Sequence, residues 1–191
     1  MRLFVKNNKN KMIEIQDFLR YSKQMQLPEI GESGQLKIKQ ASVLVIGAGG
    51  LGCPVLQYLA AVGVGNIGIV DFDKVEVHNL HRQILYTENH VGELKVSTAK
   101  SIIKKINPYI NIQSFKEKLT LENAKEIITN FDLVVDGTDN FTTRYIINDT
   151  CVLLNKPLIY GSIFKFEGQV AVFNYNNSKN LRNIFPEPPN P

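Results

Sequence analysis

The hydrophobic and polar residues of this chain follow two alternating spacings. Short unbroken runs of apolar and β-branched residues are typical of strands that are buried on both faces. Between these runs, apolar residues recur every three or four positions, as they do on amphipathic helices. The first spacing predicts strands at 41–46, 67–70, 110–115, 133–135 and 158–160. The second predicts helices at 13–26, 33–40, 51–62, 95–106, 121–128 and 145–154.

The order of these elements predicts the fold class. Strands that alternate with helices of this length form an α/β, doubly wound, mostly parallel Rossmann-like sheet with helices on both faces. The stretch from Gly168 to Tyr175 alternates between apolar and polar residues, which predicts an antiparallel addition near the C-terminus. The proline-rich stretch 185–191 is suited to neither a helix nor a central strand.

Composition and charge exclude several classes of protein. The chain has 191 residues, of which 43% are hydrophobic, and this suits one domain at 13–191 after a basic tail at 1–12 that we expect to be disordered. The net charge of +4 forms no basic face, which argues against nucleic-acid binding. No apolar run approaches the roughly 20 residues that span a bilayer. The two cysteines, Cys53 and Cys151, form no secreted disulfide framework, so we expect a cytoplasmic protein without a membrane partner.

A glycine-rich turn follows the first predicted strand and opens the next helix. Gly47, Gly49 and Gly52 satisfy the pattern G-x-G-x-x-G, in which the glycines allow a tight turn, close approach of a phosphate and close contact of helix and strand. Asp71, at the end of the second strand, is placed to accept hydrogen bonds from ribose hydroxyls. The pattern predicts a nucleotide site; a glycine turn that serves packing alone is the alternative.

Two cations and one carboxylate refine this prediction. Arg82 and Lys95 follow the second strand, and a triphosphate needs such charges, whereas a nicotinamide or flavin does not. The alternative is that both are solvated surface charges. Asp139 follows the fourth strand and is a candidate ligand for Mg²⁺, which prefers carboxylates and phosphate oxygens. In the alternative interpretation, Thr138, Asp139 or Asn140 caps the next helix.

The same segments resemble the MoeB/ThiF/HesA family, the bacterial relatives of ubiquitin-activating enzymes. The resemblance covers about 15–189 and implies a homodimer that binds ATP and Mg²⁺. It also implies adenylation of the C-terminal glycine of a ubiquitin-like sulfur-carrier protein ending in Gly-Gly, for molybdopterin or thiamine synthesis, with release of pyrophosphate. The resemblance depends on the segments 20–24, 47–52, 71–73, 79–83, 92–95 and 136–140.

The resemblance also implies roles for particular residues. Gly50 would lie against the nucleotide, and Arg82, Lys95 and Asp139 would act in catalysis, with Asp139 holding Mg²⁺. Asn79 would contact the phosphates together with the two cations. The full nucleotide-binding set would be Gly47, Gly49, Gly50, Gly52, Asp71, Asp73, Asn79, Arg82, Gln83 and Lys95, with Lys23 reaching the ATP of a partner subunit in trans.

Three departures from the family pattern affect these expectations. Lys23 stands where relatives usually have arginine, so a charge is kept but the planar fork of the guanidinium is lost. Asn180 and Asn183 occupy positions where relatives often have a Cys-x-x-Cys zinc pair, so we expect no zinc site. Relatives also continue past Pro191, and we expect a member that is truncated at its C-terminus.

Other functions remain open from the sequence. Within the superfamily, the alternative is an enzyme of the tRNA threonylcarbamoyladenosine dehydratase type, which activates a carboxylate with ATP. A non-catalytic nucleotide-binding remnant is a second alternative, and an oxidoreductase that uses NAD or FAD is the most distant one. Cys53 lies in the first turn of a helix, where thiol pKa values fall, although small residues there usually serve packing. Cys151 is expected in the core.

Overall fold

A computed structural model of the chain describes residues 13–187. The predicted basic tail and the last residues of the proline-rich stretch lie outside this range. The helices are α1 (Ile15–Met25), α2 (Gly31–Gln40), α3 (Gly52–Val62), α4 (Lys95–Ile106), α5 (Leu121–Thr129) and α6 (Phe141–Leu153). The strands are β1 (Ser42–Ile46), β2 (Asn66–Val70), β3 (Asn111–Phe115), β4 (Leu133–Asp136), β5 (Leu158–Phe164) and β6 (Glu167–Phe173). Short 3-10 turns lie at Val77–Asn79, Glu88–His90 and Leu181–Asn183.

The six strands form one sheet in the order β3-β2-β1-β4-β5-β6. The first five strands are parallel, and β6 runs antiparallel to β5. The predicted doubly wound sheet with an antiparallel addition is therefore confirmed. Strand β1 lies at the centre, and the strand order reverses beside it, where open α/β sheets bind ligands at the carboxyl ends of their strands.

Alternate residues of the central strands supply two separate cores. Val43 and Val45 of β1 face α3 and α4, whereas Leu44 and Ile46 face α5 and α6. All four side chains are buried, which explains why β1 is an unbroken apolar run and not an alternating one. Helices thus cover both faces of the sheet, and the carboxyl edge stays open. In residues 13–187, no helix has the length and apolar character needed to cross a bilayer.

Helix α1 is amphipathic, as its spacing predicted, but its apolar side is not the side that packs on the domain. Its apolar residues Ile15, Phe18 and Leu19 are exposed, whereas Asp17 and Tyr21 are buried. Asp17 pairs with Lys39 of α2 at 2.6 Å, and the Tyr21 hydroxyl accepts a hydrogen bond from the Asn107 side chain at 2.7 Å. Polar contacts therefore attach α1 to the domain, and its apolar stripe faces outward.

Candidate functional site

A cavity of about 410 Å³ opens at the carboxyl edge of the sheet, beside the glycine turn. This volume lies within the range of small-molecule sites. Every residue of the predicted nucleotide set lines the cavity, apart from Gly52, Asn79 and Lys23, and so does Asp139. Segments that are distant in the sequence meet there because the parallel strands all end at this edge.

The backbone of the glycine turn leaves no room for side chains at its first and third glycines. Gly47 has φ +91°, and a Cβ atom there would lie 2.8 Å from the Gly137 carbonyl oxygen. A Cβ atom on Gly52 would collide with the Gly47 carbonyl oxygen. The turn and the close approach of α3 to the sheet therefore require glycine at both positions, as the sequence pattern predicts.

Asp71 stabilises the glycine turn by accepting backbone hydrogen bonds. One carboxylate oxygen accepts the Ala48 N–H at 2.8 Å, and the other accepts the Asp73 N–H at 2.8 Å. Burial raises the pKa of Asp71, and the two N–H donors oppose that rise. Each oxygen keeps a second lone pair and the carboxyl group borders the cavity, so the predicted contact with ribose remains compatible with this support.

The two predicted cations reach the cavity in different ways. Lys95 is the first residue of α4; its side chain is buried, and its ammonium pairs with Asp73 at 3.0 Å. Arg82 is exposed, donates to the His78 carbonyl at 3.1 Å and contacts the His81 ring nitrogen at 2.8 Å. Lys95 is thus no solvated surface lysine. Both cations border one cavity, as a polyanionic ligand requires.

The sequence suggested two roles for the segment around Asp139 and Asn140, a magnesium ligand and a helix cap. The Asn140 side chain caps α6 by accepting the Thr143 N–H at 2.9 Å. Asp139 is exposed at the cavity, and no other residue in 13–187 forms a hydrogen bond or ion pair with it. Within the same range, no three His, Cys, Asp or Glu side chains group as metal ligands. The donor set thus fits a magnesium ion that takes one carboxylate from the protein and the rest from phosphates and water.

Arg144 is a residue of the site that the sequence did not reveal. It belongs to α6, and its guanidinium donates to the Thr138 carbonyl at 2.7 Å and to the Tyr160 hydroxyl at 2.9 Å. Its Nε is buried without a partner in residues 13–187, and the charge of Arg144 opposes the rise in pKa that burial causes at Asp136. A buried guanidinium with an unsatisfied N–H is costly, and a bound anion would satisfy it. The only signal in the sequence was an arginine directly before the apolar residues 145–147.

A second cavity of about 350 Å³ adjoins the first. Aromatic residues of α6 and the β5–β6 hairpin line it, among them Tyr145, Tyr160 and Phe164. Arg144 borders both cavities, so its guanidinium lies where they meet. Glu167 and Glu187 also line this second cavity, and Arg144 is the one cation among the residues of 13–187 that line it. The cavity therefore suits an extended chain whose terminal carboxylate lies at Arg144.

Three predicted residues do not border the main cavity. Gly52 is buried within the turn, and Asn79 is buried with its carbonyl accepting the N–H groups of Arg82 and Gln83. Lys23 is exposed in the last turn of α1 and does not reach the cavity of its own chain. The predicted nucleotide contacts of Asn79 and Lys23 remain predictions.

The cysteines and the segment with the two asparagines serve packing and capping in the structure. Burial raises the pKa of Cys53 to about 11 and that of Cys151 to about 12. The helix start at Cys53 therefore does not produce the low pKa that its position suggested, whereas Cys151 lies in the core as predicted. Asn180 caps a 3-10 turn by accepting the Arg182 N–H at 2.9 Å, and its own N–H donates to Asn183.

Comparisons with known proteins agree with this geometry. The chain is 52% identical over 177 residues to a sulfur carrier protein adenylyltransferase of Thermus thermophilus, covering 90% of this chain and 65% of that protein. A probable molybdopterin-synthase adenylyltransferase of Porphyra purpurea is 53% identical over 170 residues, covering 89% and 44%. The chain thus spans about half to two thirds of the length of these relatives.

One solved structure with a similar fold contains a bound nucleotide. The tRNA N6-threonylcarbamoyladenosine dehydratase of E. coli in complex with ATP aligns with a TM-score of 0.74 and 26% identity, covering 78% of this chain and 61% of that one. The family model described as ThiF family matches residues 21–191. The chain belongs to the ThiF family.

Proposed function

We propose that this chain uses ATP and Mg²⁺ to adenylate the C-terminal glycine carboxylate of a ubiquitin-like sulfur-carrier protein. The observation that carries the proposal is the meeting of the glycine turn, Arg82, Lys95 and the unpaired Asp139 around one cavity. A site with that charge pattern suits a nucleoside triphosphate. The names of the relatives, which are adenylyltransferases for sulfur carriers and molybdopterin synthase, support the choice of substrate.

The cavity suggests an orientation for ATP. The triphosphate would lie between the glycine turn and the cations Arg82 and Lys95, with the ribose beside Asp71. The base would occupy the part lined by Val70 and Leu119, where apolar surface can cover its ring. Asp139 would hold a magnesium ion, and the bound ion would offset part of the phosphate charge.

The chemistry requires positioning and charge neutralisation. An oxygen of the carrier carboxylate attacks the α-phosphorus, the bond from that phosphorus to the bridging oxygen breaks, and pyrophosphate leaves with the electron pair. The nucleophile is already an anion, so no general base is needed. Arg82 and Lys95 stabilise the charge that develops on the phosphate oxygens, and alignment of the two reactants supplies much of the acceleration.

Arg144 gives the incoming carboxylate a binding partner. Its unpaired Nε lies where the aromatic cavity meets the nucleotide cavity. We propose that the glycine tail of the carrier enters through the aromatic cavity and that Arg144 orients its carboxylate. Substitution of Arg144 by lysine should then raise the KM for the carrier about tenfold, while ATP affinity stays near that of the wild type, because lysine keeps the charge and loses the fork.

A homodimer would explain the position of Lys23. This lysine is exposed on α1 and lies outside the cavity of its own chain, while the neighbouring apolar residues Phe18 and Leu19 face outward. We propose that α1 contributes to a dimer contact and that Lys23 reaches the ATP of the partner. Mixing the variants Lys23→Ala and Arg82→Ala tests this, because a mixed dimer would contain one intact site and recover activity that neither variant has alone.

The proposal also covers the compartment and the pathway. Cys53 and Cys151 are buried free thiols, which suits a reducing compartment, and we propose a cytoplasmic enzyme. A carrier of either molybdopterin or thiamine synthesis is compatible with the proposed reaction, so both are used as substrates in the test.

ATP–pyrophosphate exchange, with and without a carrier ending in Gly-Gly, tests the proposed function. Exchange that depends on the carrier, and is lost when its last glycine is removed, is the expected result. Exchange that instead requires tRNA carrying threonylcarbamoyladenosine would favour the dehydratase-type reaction. ATP binding without exchange under any of these conditions would identify a non-catalytic nucleotide-binding protein and contradict the proposal.

A further inference from the structure

One peptide group of the glycine turn is held from inside the protein by a tyrosine. The Tyr86 hydroxyl donates to the Ala48 carbonyl oxygen at 2.8 Å. Both residues are buried, with 4% of Tyr86 and none of Ala48 exposed. The Cys53 thiol also approaches this carbonyl, at 3.4 Å, but a thiol is a weak donor. Tyr86 is therefore the main hydrogen-bond donor to the Ala48 carbonyl.

This contact determines the direction of a different group, the Gly49 N–H. The Ala48 carbonyl and the Gly49 N–H belong to one planar trans peptide, so the two groups point in opposite directions. A carbonyl that points inward to Tyr86 therefore directs the Gly49 N–H outward. Gly49 lines the main cavity, and among residues 13–187 no acceptor forms a hydrogen bond with its N–H.

The same hydroxyl lies near the start of α4. It is 3.4 Å from the carbonyl oxygen of Lys95, whose ammonium also borders the cavity. The backbone N–H of Tyr86 donates to the Gln83 carbonyl at 3.0 Å, which fixes the tyrosine to the segment that carries Arg82. Burial raises the pKa of Tyr86, so the hydroxyl keeps its proton and remains a donor at neutral pH. Tyr86 thus contacts the glycine turn, α4 and the arginine segment.

We propose that Tyr86 is a positioning residue, which directs the Gly49 N–H at a nucleotide phosphate without touching the nucleotide itself. The inference deepens the proposed function, because it requires that the cavity binds ATP. It assigns the Gly49 N–H to the phosphates and not to the nucleoside. Loss of the hydroxyl should therefore weaken binding of phosphate-bearing ligands selectively.

The substitution Tyr86→Phe tests this, because it removes the hydroxyl and keeps the ring. Tyr21→Phe is the matched control: Tyr21 is 4% exposed, as Tyr86 is, and its hydroxyl accepts a hydrogen bond from the Asn107 side chain at 2.7 Å, outside both cavities. We would measure the affinities of the full chain and both variants for ATP and for adenosine by calorimetry. Tyr86→Phe should lower ATP affinity about five- to tenfold and leave adenosine affinity within twofold. Tyr21→Phe should change neither affinity.

Equal loss of ATP and adenosine affinity in Tyr86→Phe, or no loss of either, would overturn the inference. If that variant does not fold, the wild-type chain provides the test through the ¹⁵N–¹H signal of Gly49. This signal should shift on addition of ATP and stay in place with adenosine, and a response to neither ligand would overturn the inference. Wild-type protein that binds no ATP would contradict both proposals, whereas ATP binding without carrier-dependent exchange would contradict only the proposed reaction.

Discussion

The two sides of the main cavity differ in how far their polar groups are already bonded within the protein. On the side of the glycine turn, both carboxylate oxygens of Asp71 accept backbone N–H groups, and Lys95 pairs with Asp73. On the side of β4 and α6, the Nε of Arg144 and one carboxylate oxygen of Asp136 are buried without a partner in residues 13–187. On the turn side, the same holds for the Oε1 of Gln83. Burial also raises the pKa of Asp136.

This difference indicates how the site works. Buried polar groups in native proteins nearly always have partners, so unpartnered groups beside a cavity point to a ligand that completes them. The charged groups of the turn side are already bonded within the protein, and we expect this side to hold the nucleotide in one orientation. Under the proposed function, the magnesium ion and the carrier carboxylate would complete the α6 side. Substitutions on the turn side should therefore affect folding or ATP binding, and those on the α6 side should affect the second reactant.

The substitution Gly52→Ala should have the largest effect. Its methyl group would collide with the Gly47 carbonyl oxygen, so α3 could no longer approach the turn. We expect a loss of about 3 kcal/mol in the free energy of unfolding, measured by urea denaturation. Gly168→Ala in β6 is the control, because its methyl group would come no closer than 3.9 Å to the Ser162 carbonyl oxygen. Equal stability of the two variants would show that the turn is not closely packed.

The substitution Arg82→Ala should come next in magnitude. Removal of one group that stabilises developing charge typically lowers turnover about 10²-fold, and we expect at least this loss in pyrophosphate exchange. Lys125→Ala, which removes an exposed cation from α5 outside both cavities, is the control and should leave exchange unchanged. Near-normal exchange by Arg82→Ala would exclude the assigned role.

The substitution Asp139→Asn tests the opposite side of the cavity. Asparagine keeps the shape of the side chain and removes the charge that would hold Mg²⁺. We expect about tenfold more Mg²⁺ for half-maximal exchange, while adenosine binds as it does to the wild type. Asn140→Ala, which removes the helix cap, should instead lower stability by about 1 kcal/mol. An unchanged magnesium requirement in Asp139→Asn would show that this carboxylate holds no metal.

The sequence predicts the turn side better than the α6 side, for a physical reason. Gly47, Gly52 and Asp71 are required by local backbone geometry, which leaves a pattern within a short stretch of sequence. Hydrogen bonds to Tyr160 and Thr138 hold Arg144 in place, and no spacing pattern in the sequence predicts such contacts. The fold was predictable for the same reason as the turn, because strands and helices of this kind produce regular apolar spacing.

Helix α1 shows how far apolar spacing reaches. The spacing predicted a helix at 13–26, and a helix is present, but Ile15 is 66% and Leu19 is 75% exposed. The side that does pack depends on the ion pair of Asp17 with Lys39, a contact between helices that neither sequence segment reveals alone. Spacing therefore identified the helix but not its orientation.

The smallest predicted effect concerns the two buried cysteines. It tests whether the cores on the two faces of the sheet are equally closed to water, although the two sides of the cavity differ. Cys53 belongs to the core under α3 and α4, and Cys151 to the core under α5 and α6. Their pKa values are raised from 9.0 to about 11 and about 12. Above pH 9, the unfolded chain releases protons that the native protein keeps, so stability should fall as the pH rises toward those values.

Urea unfolding at pH 8 and pH 10 measures this loss, which should be about 1 kcal/mol for each thiol. Cys53→Ala and Cys151→Ala should each remove about that much of the loss, although both variants lose stability at every pH through the missing sulfur atom. The comparison therefore uses the change in the free energy of unfolding between pH 8 and pH 10, and not its absolute value at either pH. If only Cys151→Ala reduced the pH dependence, the core behind the glycine turn would be open to water, and the rigid turn that directs the Gly49 N–H would lack its support.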